Sequence, residues 1–226
     1  MLTIKFTYVK RKLSLLLFLD IIYGIVQTVM KMKQKTMDNK TLKYFARMAA
    51  EAYVNDPVHA YVTKNENFRK RFVYHFMIER LATSNREDII YIDEEKRGIC
   101  VWREAHNEYD VFDFLMYPNW FFLWLYWPKT LKTLMAYSHL DVKVFPENTY
   151  IISPVFVAPE HQGKGIATKL IKQGIEELTA KGYKLGLEAQ DKDNVNFYEK
   201  LGFKVIKHDY WKKEGIDNYY MMYDPK

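Results

Sequence analysis

Apolar residues recur along this chain in two rhythms, separated by Gly, Pro and Asp. Leu42, Phe45, Ala46, Ala49, Ala50 and Tyr53 keep helical spacing behind Asp38-Asn39. A helix capped there is predicted to run to about residue 55, where Asp56-Pro57 breaks it. A second helix is predicted over about 67–82, with Phe68, Phe72 and Phe76 on one face and Val73, Met77, Ile78 and Leu81 beside it. Asp56, Pro57, His59 and Tyr61 lie between the two and read as a solvated loop, with substrate contact as the alternative. Residues 88–93 and 98–103 read as strands of an antiparallel hairpin, turned at Glu94-Glu95-Lys96-Arg97. Residues 150–157 form another strand, rich in β-branched and aromatic residues. Ile166, Leu170, Ile171, Ile175 and Leu178 then return to helical spacing, as far as about Lys181-Gly182. A strand over 183–189, a turn over 190–193, a short helix over 194–201 and a hairpin of 203–210 with 217–223 complete the pattern.

The junction between strand 150–157 and its following helix carries the first chemistry. Ala158-Pro159-Glu160-His161 stops the strand, and Gln162-Gly163-Lys164-Gly165 opens the helix. A Gly-rich turn before a helix aims several free N–H groups one way, and the helix dipole adds positive potential, so the turn suits phosphate. No G-K-S/T follows a four-residue spacer, which excludes a Walker loop. Thr168 stands where a dinucleotide fingerprint needs its third small residue, and no acidic residue follows at the usual distance. About thirty residues on stands Asn194-Val195-Asn196-Phe197-Tyr198-Glu199-Lys200-Leu201-Gly202-Phe203, a short helix ended by Gly202. Phe197 and Leu201 are four apart and are assigned to the core, which leaves Tyr198 one position off that face and free to point into a cleft.

Together these motifs resemble the GNAT superfamily of N-acetyltransferases. Gln162, Gly165 and Ala167 fill its Q/R-x-x-G-x-G/A acetyl-CoA loop, Val155, Val157 and Pro159 fit its fourth strand, and the second motif is similar to its F-Y-x-K-x-G-F signature. The resemblance covers about 149–205. It implies a mixed α/β fold with a central, mostly antiparallel sheet, flanked by helices and splayed between the fourth and fifth strands. It implies acetyl-CoA as co-substrate, with pantetheine in the splay against backbone groups of Phe156 and Val157. Gln162, Gly163, Lys164, Gly165, Ile166 and Ala167 would hold the pyrophosphate, with Asn194 near the cofactor, although Asp191 occupies the commoner spot for that Asn. The expected reaction is direct attack of a primary amine on the thioester. The Val157 N–H would stabilise the oxyanion and Tyr198 would protonate the leaving sulfur. A cofactor-packing role for Tyr198 stays open. Glu188 on the fifth strand is the favoured base, acting directly or through water, with Glu147 and His139 behind it. A solvated role for each of the three stays open, as does a base drawn from solvent.

Composition bounds the rest. The chain has 226 residues, 49 % of them hydrophobic and 16 % aromatic, enough for one domain with extensions. Its formal charge of +6 is scattered rather than clustered, which suits an anionic cofactor and argues against nucleic acid. The lone Cys100 sits in a strand-like run and reads as a core thiol, and the histidines show no ligand spacing, so no metal is expected. Residues 1–29 form an apolar extension behind Lys5, Lys10, Arg11 and Lys12, interrupted by Asp20 and Gln27. An N-terminal anchor, a docked amphipathic helix and a segment upstream of a start at Met30 or Met32 are the three readings. The last is favoured, with a first strand over 29–34 opening a 30–226 acetyltransferase domain.

Residues 104–148 form an aromatic insertion, nearly continuous from Trp120 to Trp127. Core or cleft wall, dimer contact or lid, and interfacial membrane anchor compete for it. A cytoplasmic monomer or homodimer acting on a small-molecule or peptide amine is the expectation. Membrane contact through 13–30 or 117–128 is the alternative location, and a non-catalytic acyl-CoA sensor or membrane-associated interaction protein is the alternative function.

Overall fold

The structure is a computed structural model that describes residues 37–82, 88–106, 128, 131 and 141–224. The expected strand over 29–34, the extension 1–29, His139 and most of the aromatic insertion lie outside the described residues. Asp38 caps α1 (Asn39–Ala52), its carboxylate accepting from Lys40 N at 2.8 Å and Thr41 N at 3.0 Å. The helix buries Leu42, Phe45, Ala46 and Ala49, the face set by their spacing.

The expected loop after α1 folds instead into a short helix, α2 (Pro57–Val62). Asp56 caps it, accepting from Val58 N and His59 N, with Pro57 in the first turn where its missing N–H costs nothing. Asp56-Pro57 therefore starts a helix as well as ending one, and His59 is buried rather than solvated. Helix α3 (Glu66–Ala82) follows, and Phe68, Phe72 and Phe76 stack in series with centroids 6.3 Å apart at each step.

Strands β1 (Ile89–Ile92) and β2 (Gly98–Glu104) make the expected antiparallel hairpin. They are followed by β3 (Thr149–Val157), helix α4 (Ile166–Ala180), β4 (Lys184–Ala189), helix α5 (Lys192–Glu199), β5 (Phe203–Trp211) and β6 (Ile216–Tyr223). The six strands form one sheet in the order β1-β2-β3-β4-β6-β5. Only β3 and β4 pair in parallel, and α4 supplies the crossover that such a pair requires. The fold is the mixed, mostly antiparallel sheet expected from the sequence.

Strand β2 lies inside the sheet, and its near-continuous apolar run serves two cores. Cys100 and Trp102 face the cluster under α4, with Leu170, Ile171 and Leu178. Ile99 and Val101 face the cluster under α1 and α3, with Phe45, Ala49 and Val73. Gly174 lets α4 close on the sheet, because a Cβ there would stand 2.0 Å from Trp102 Nε1. Trp102 is fully buried and has nowhere to go. Gly174→Ala is therefore expected to cost about 3 kcal/mol of stability, read as a fall in melting temperature, despite the better helix propensity of alanine. An unchanged melting temperature would mean that α4 and β2 do not pack as described.

Candidate active site

The site forms where β3 and β4 part. Their parallel pairing runs through Thr149–Lys184, Tyr150–Leu185 and Ile151–Gly186, then stops although both strands continue. A β-bulge helps to bend β3 at that point: Cys100 pairs with Val155 and Trp102 with Ile152, so Ser153 and Pro154 together oppose Val101. Pro154 also offers no N–H to a neighbouring strand.

Antiparallel ladders alternate residues that bond the neighbour with residues that face away. Ala158 N donates to Arg97 O at 2.8 Å, so Ala158 and Phe156 turn their main-chain groups to the β2 side. Val155 and Val157 turn theirs into the splay. Of the expected pair Phe156 and Val157, only Val157 presents its backbone there, and Val155 replaces Phe156. The Phe156 ring packs beneath α1, edge-on to Phe45 and Tyr53. Two of the outward carbonyls already have donors. Tyr53 Oη donates to Val155 O at 2.6 Å, and Gln162 Nε2 donates to Val157 O at 3.2 Å. Sequence reasoning assigned Tyr53 to the core face of α1. Its position at the helix end, beside the splay, was the unused signal.

The loop at the top of β3 begins with a 3-10 turn, Pro159–His161. Gln162 N closes that turn onto Pro159 O at 3.2 Å, so Gln162 contributes its side chain to β3 rather than its N–H to a ligand. Gly163 and Gly165 take left-handed backbones, φ +73° and +79°, and a Cβ at either would meet no atom within 4 Å. Gly165 is the N-cap of α4 and has no side chain to offer, so the N–H groups of Ile166, Ala167 and Thr168 have no partner within the helix. This exposed cradle of N–H groups at a positive helix end fits a pyrophosphate. Lys164 folds back, with Nζ 2.9 Å from Glu160 O and 3.3 Å from His161 Nδ1.

Glu188 lies on β4 two residues beyond the last β3 pair, on the face away from α4. Burial pushes its carboxyl up to about 7, with Asp141 adding to the rise and Arg80 opposing it. Arg80 reaches from α3 to donate to Ser153 Oγ in the β3 bulge. Glu147 is exposed.

Tyr198 departs from the sequence expectation. It is a buried member of the core under α4, edge-on to Phe203 at 6.0 Å, whereas Phe197 and Leu201 are only partly buried. The reason is local: Asp191 caps α5, which spans 192–199, so Leu201 lies beyond the helix and the inward face is Val195 with Tyr198. Burial raises the Tyr198 hydroxyl well above its usual value, so it stays protonated across the working pH range. Asn194 is exposed in the first turns of α5.

Residues 88–203, from β1 to the start of β5, match the acetyltransferase (GNAT) family, and the match takes in the splay, the Gly loop and Tyr198. The chain belongs to the GNAT family. It is thus an acyltransferase of the family that uses acetyl-CoA. Among solved GNAT-type structures, histone acetyltransferase HPA2 and related acetyltransferase from Corynebacterium glutamicum is 15 % identical, with 84 % of this chain and 94 % of that chain covered and a TM-score of 0.57. The IAA acetyltransferase from Bacillus cereus is 16 % identical over 69 % of this chain and 84 % of that one, with a TM-score of 0.39. A Bacillus anthracis acetyltransferase in complex with acetyl coenzyme A is 16 % identical over 62 % and 64 %, with a TM-score of 0.40. Among the described residues, no helix of this GNAT chain is long and apolar enough to cross a membrane.

Proposed function

We propose that this protein transfers the acetyl group of acetyl-CoA to a primary amine of a small molecule or peptide. The observation that carries the reading is the splay itself: β3 and β4 stop pairing after Ile151–Gly186, Glu188 stands on β4 just beyond that point, and the α4 N-terminus has no side-chain cap. Acetyl-CoA supplies the activated acetyl group. The chain supplies the placement and the proton transfers. Val155 and Val157 line the splay like the edge of a sheet and can hold an amide-bearing arm between strands. The N–H groups of Gly163 to Ala167 hold the phosphates. The Val157 N–H stabilises the charge that develops on the carbonyl oxygen. Glu188, half-protonated near neutral pH, removes the amine proton directly or through water. In this reading the sulfur lies on the α4 side of the splay, where Tyr198, buried in that core and held protonated, returns a proton to it as it departs.

Tyr198→Phe separates chemistry from binding. The expected result is a kcat lower by about a hundredfold, measured as amine-dependent release of CoA thiol, with acetyl-CoA affinity by calorimetry kept within about twofold. Equal turnover by the two proteins would remove Tyr198 from the proton path and leave it a packing residue.

A further inference from the structure

The face of the sheet that carries Glu188 holds a second polar group with an open valence. Glu188 on β4 stands opposite Tyr220 on β6, and Ala189 opposite Tyr219. One step on, Gln190 Nε2 donates to Asn218 Oδ1 at 2.6 Å. Side chains alternate along strands, so Glu188, Gln190, Asn218 and Tyr220 share one face, the one away from α4. Asn218 is 0 % exposed. Gln190 takes its oxygen, while its Nδ2 has no hydrogen-bond partner among the described residues. Glu188 Oε2 is also buried without a partner among the described residues. A donor and an acceptor thus stand as diagonal neighbours, with Cα atoms roughly 7 Å apart, and do not bond each other. Buried polar atoms left open weaken a fold, and natural proteins rarely keep them without a use.

We propose that Asn218 reads the acceptor, selecting amines that carry a hydrogen-bond-accepting oxygen three bonds from the amine nitrogen, as an amino-acid amide or a peptide N-terminus does. The inference rests on the splay being the acyl-transfer site. Glu188 receives the amine and Asn218 Nδ2 donates to the neighbouring oxygen. Glu188 and Gln190 are the part-exposed members of the face, and in this proposal the acceptor reaches Asn218 past Glu188. A plain alkylamine would leave the Asn218 donor open on binding, and sites built to hydrogen-bond a substrate reject analogues that lack the bonding group.

Glycinamide and isobutylamine have the same heavy-atom frame and differ in this respect. The full chain, saturated with acetyl-CoA, is assayed with each, and kcat/KM is expressed per free-base amine. Wild type is expected to favour glycinamide by at least about tenfold. In Asn218→Asp, which keeps the shape and loses the donor, and in Asn218→Ala, the ratio is expected to fall close to one. General loosening slows both amines together and leaves the ratio unmoved, and thermal melting shows that each variant is folded. A wild-type ratio near one, a ratio unchanged in both variants, or no glycinamide turnover by protein that binds acetyl-CoA would each overturn the proposal. Failure to bind acetyl-CoA would instead overturn the reading of the splay.

Discussion

Valine in place of Gly165 is expected to weaken acetyl-CoA binding by roughly ten- to a hundredfold in calorimetry, with the fold intact. Gly165 holds φ +79° at the N-cap of α4, a conformation that costs an L-residue roughly 1–2 kcal/mol and a β-branched residue more. No atom lies within 4 Å of a Cβ built there, so the loss does not come from a clash. It comes from the backbone relaxing to negative φ, which rotates the N–H groups of Gly165 and Ile166 away from their common direction. Those N–H groups hold the phosphates in the proposed reading, so the strain falls on affinity more than on the core. Lys164→Ala is the contrast. That side chain is exposed and bonded back to Glu160 O, and its removal is expected to change affinity less than about threefold. Unchanged affinity in a folded Gly165→Val protein would mean that the cofactor is held elsewhere.

The Gly loop was legible in the sequence because it is local. Glycines that need positive φ, a strand before them and a helix after them all announce themselves within about twenty residues. The parallel pairing of β3 with β4 follows from the same motif, since a β-α-β unit dictates a parallel pair. Features that depend on register were not legible. Whether Phe156 or Val155 faces the splay is decided by pairing with β2, more than fifty residues away in sequence, and by the bulge at Ser153-Pro154. The inward face of α5 turned on which acidic residue caps it: Asp191 does, and that places Tyr198 in the core. Asp56-Pro57 reads equally well as a stop and as a start, and only the burial of His59 and Val58 decides for a start. Glu188 was visible as a carboxylate on a strand. What makes it useful, a raised affinity for its proton, comes from burial, which outweighs the opposing charge of Arg80 and is helped by Asp141, both on distant segments.

That raised affinity makes Glu188→Gln a test of stability and activity together. An exposed glutamate titrates near 4.5, and here burial moves the folded-state value to about 7. The folded protein therefore holds this proton more tightly than the unfolded chain does. Stability from this group is fully present below pH 4.5, declines as pH rises to about 7, and stays reduced above it. The total is at most about 3 kcal/mol at pH 8, taking 1.36 kcal/mol for each pH unit between the two values. Glutamine carries no charge to desolvate. The variant is expected to melt at the wild-type temperature at pH 5 and several degrees above it at pH 8. Its activity should move the opposite way. Wild-type kcat/KM should rise through pH 7 as Glu188 loses its proton, and the variant should lose this limb along with about a hundredfold in rate. A carboxylate kept in an unfavourable setting, where a neutral side chain would be more stable, marks a site selected for chemistry over stability. If Glu188→Gln left both the pH-rate limb and the pH 8 melting temperature unchanged, Glu188 would be neither the base nor a buried charge, and the amine would give up its proton to solvent.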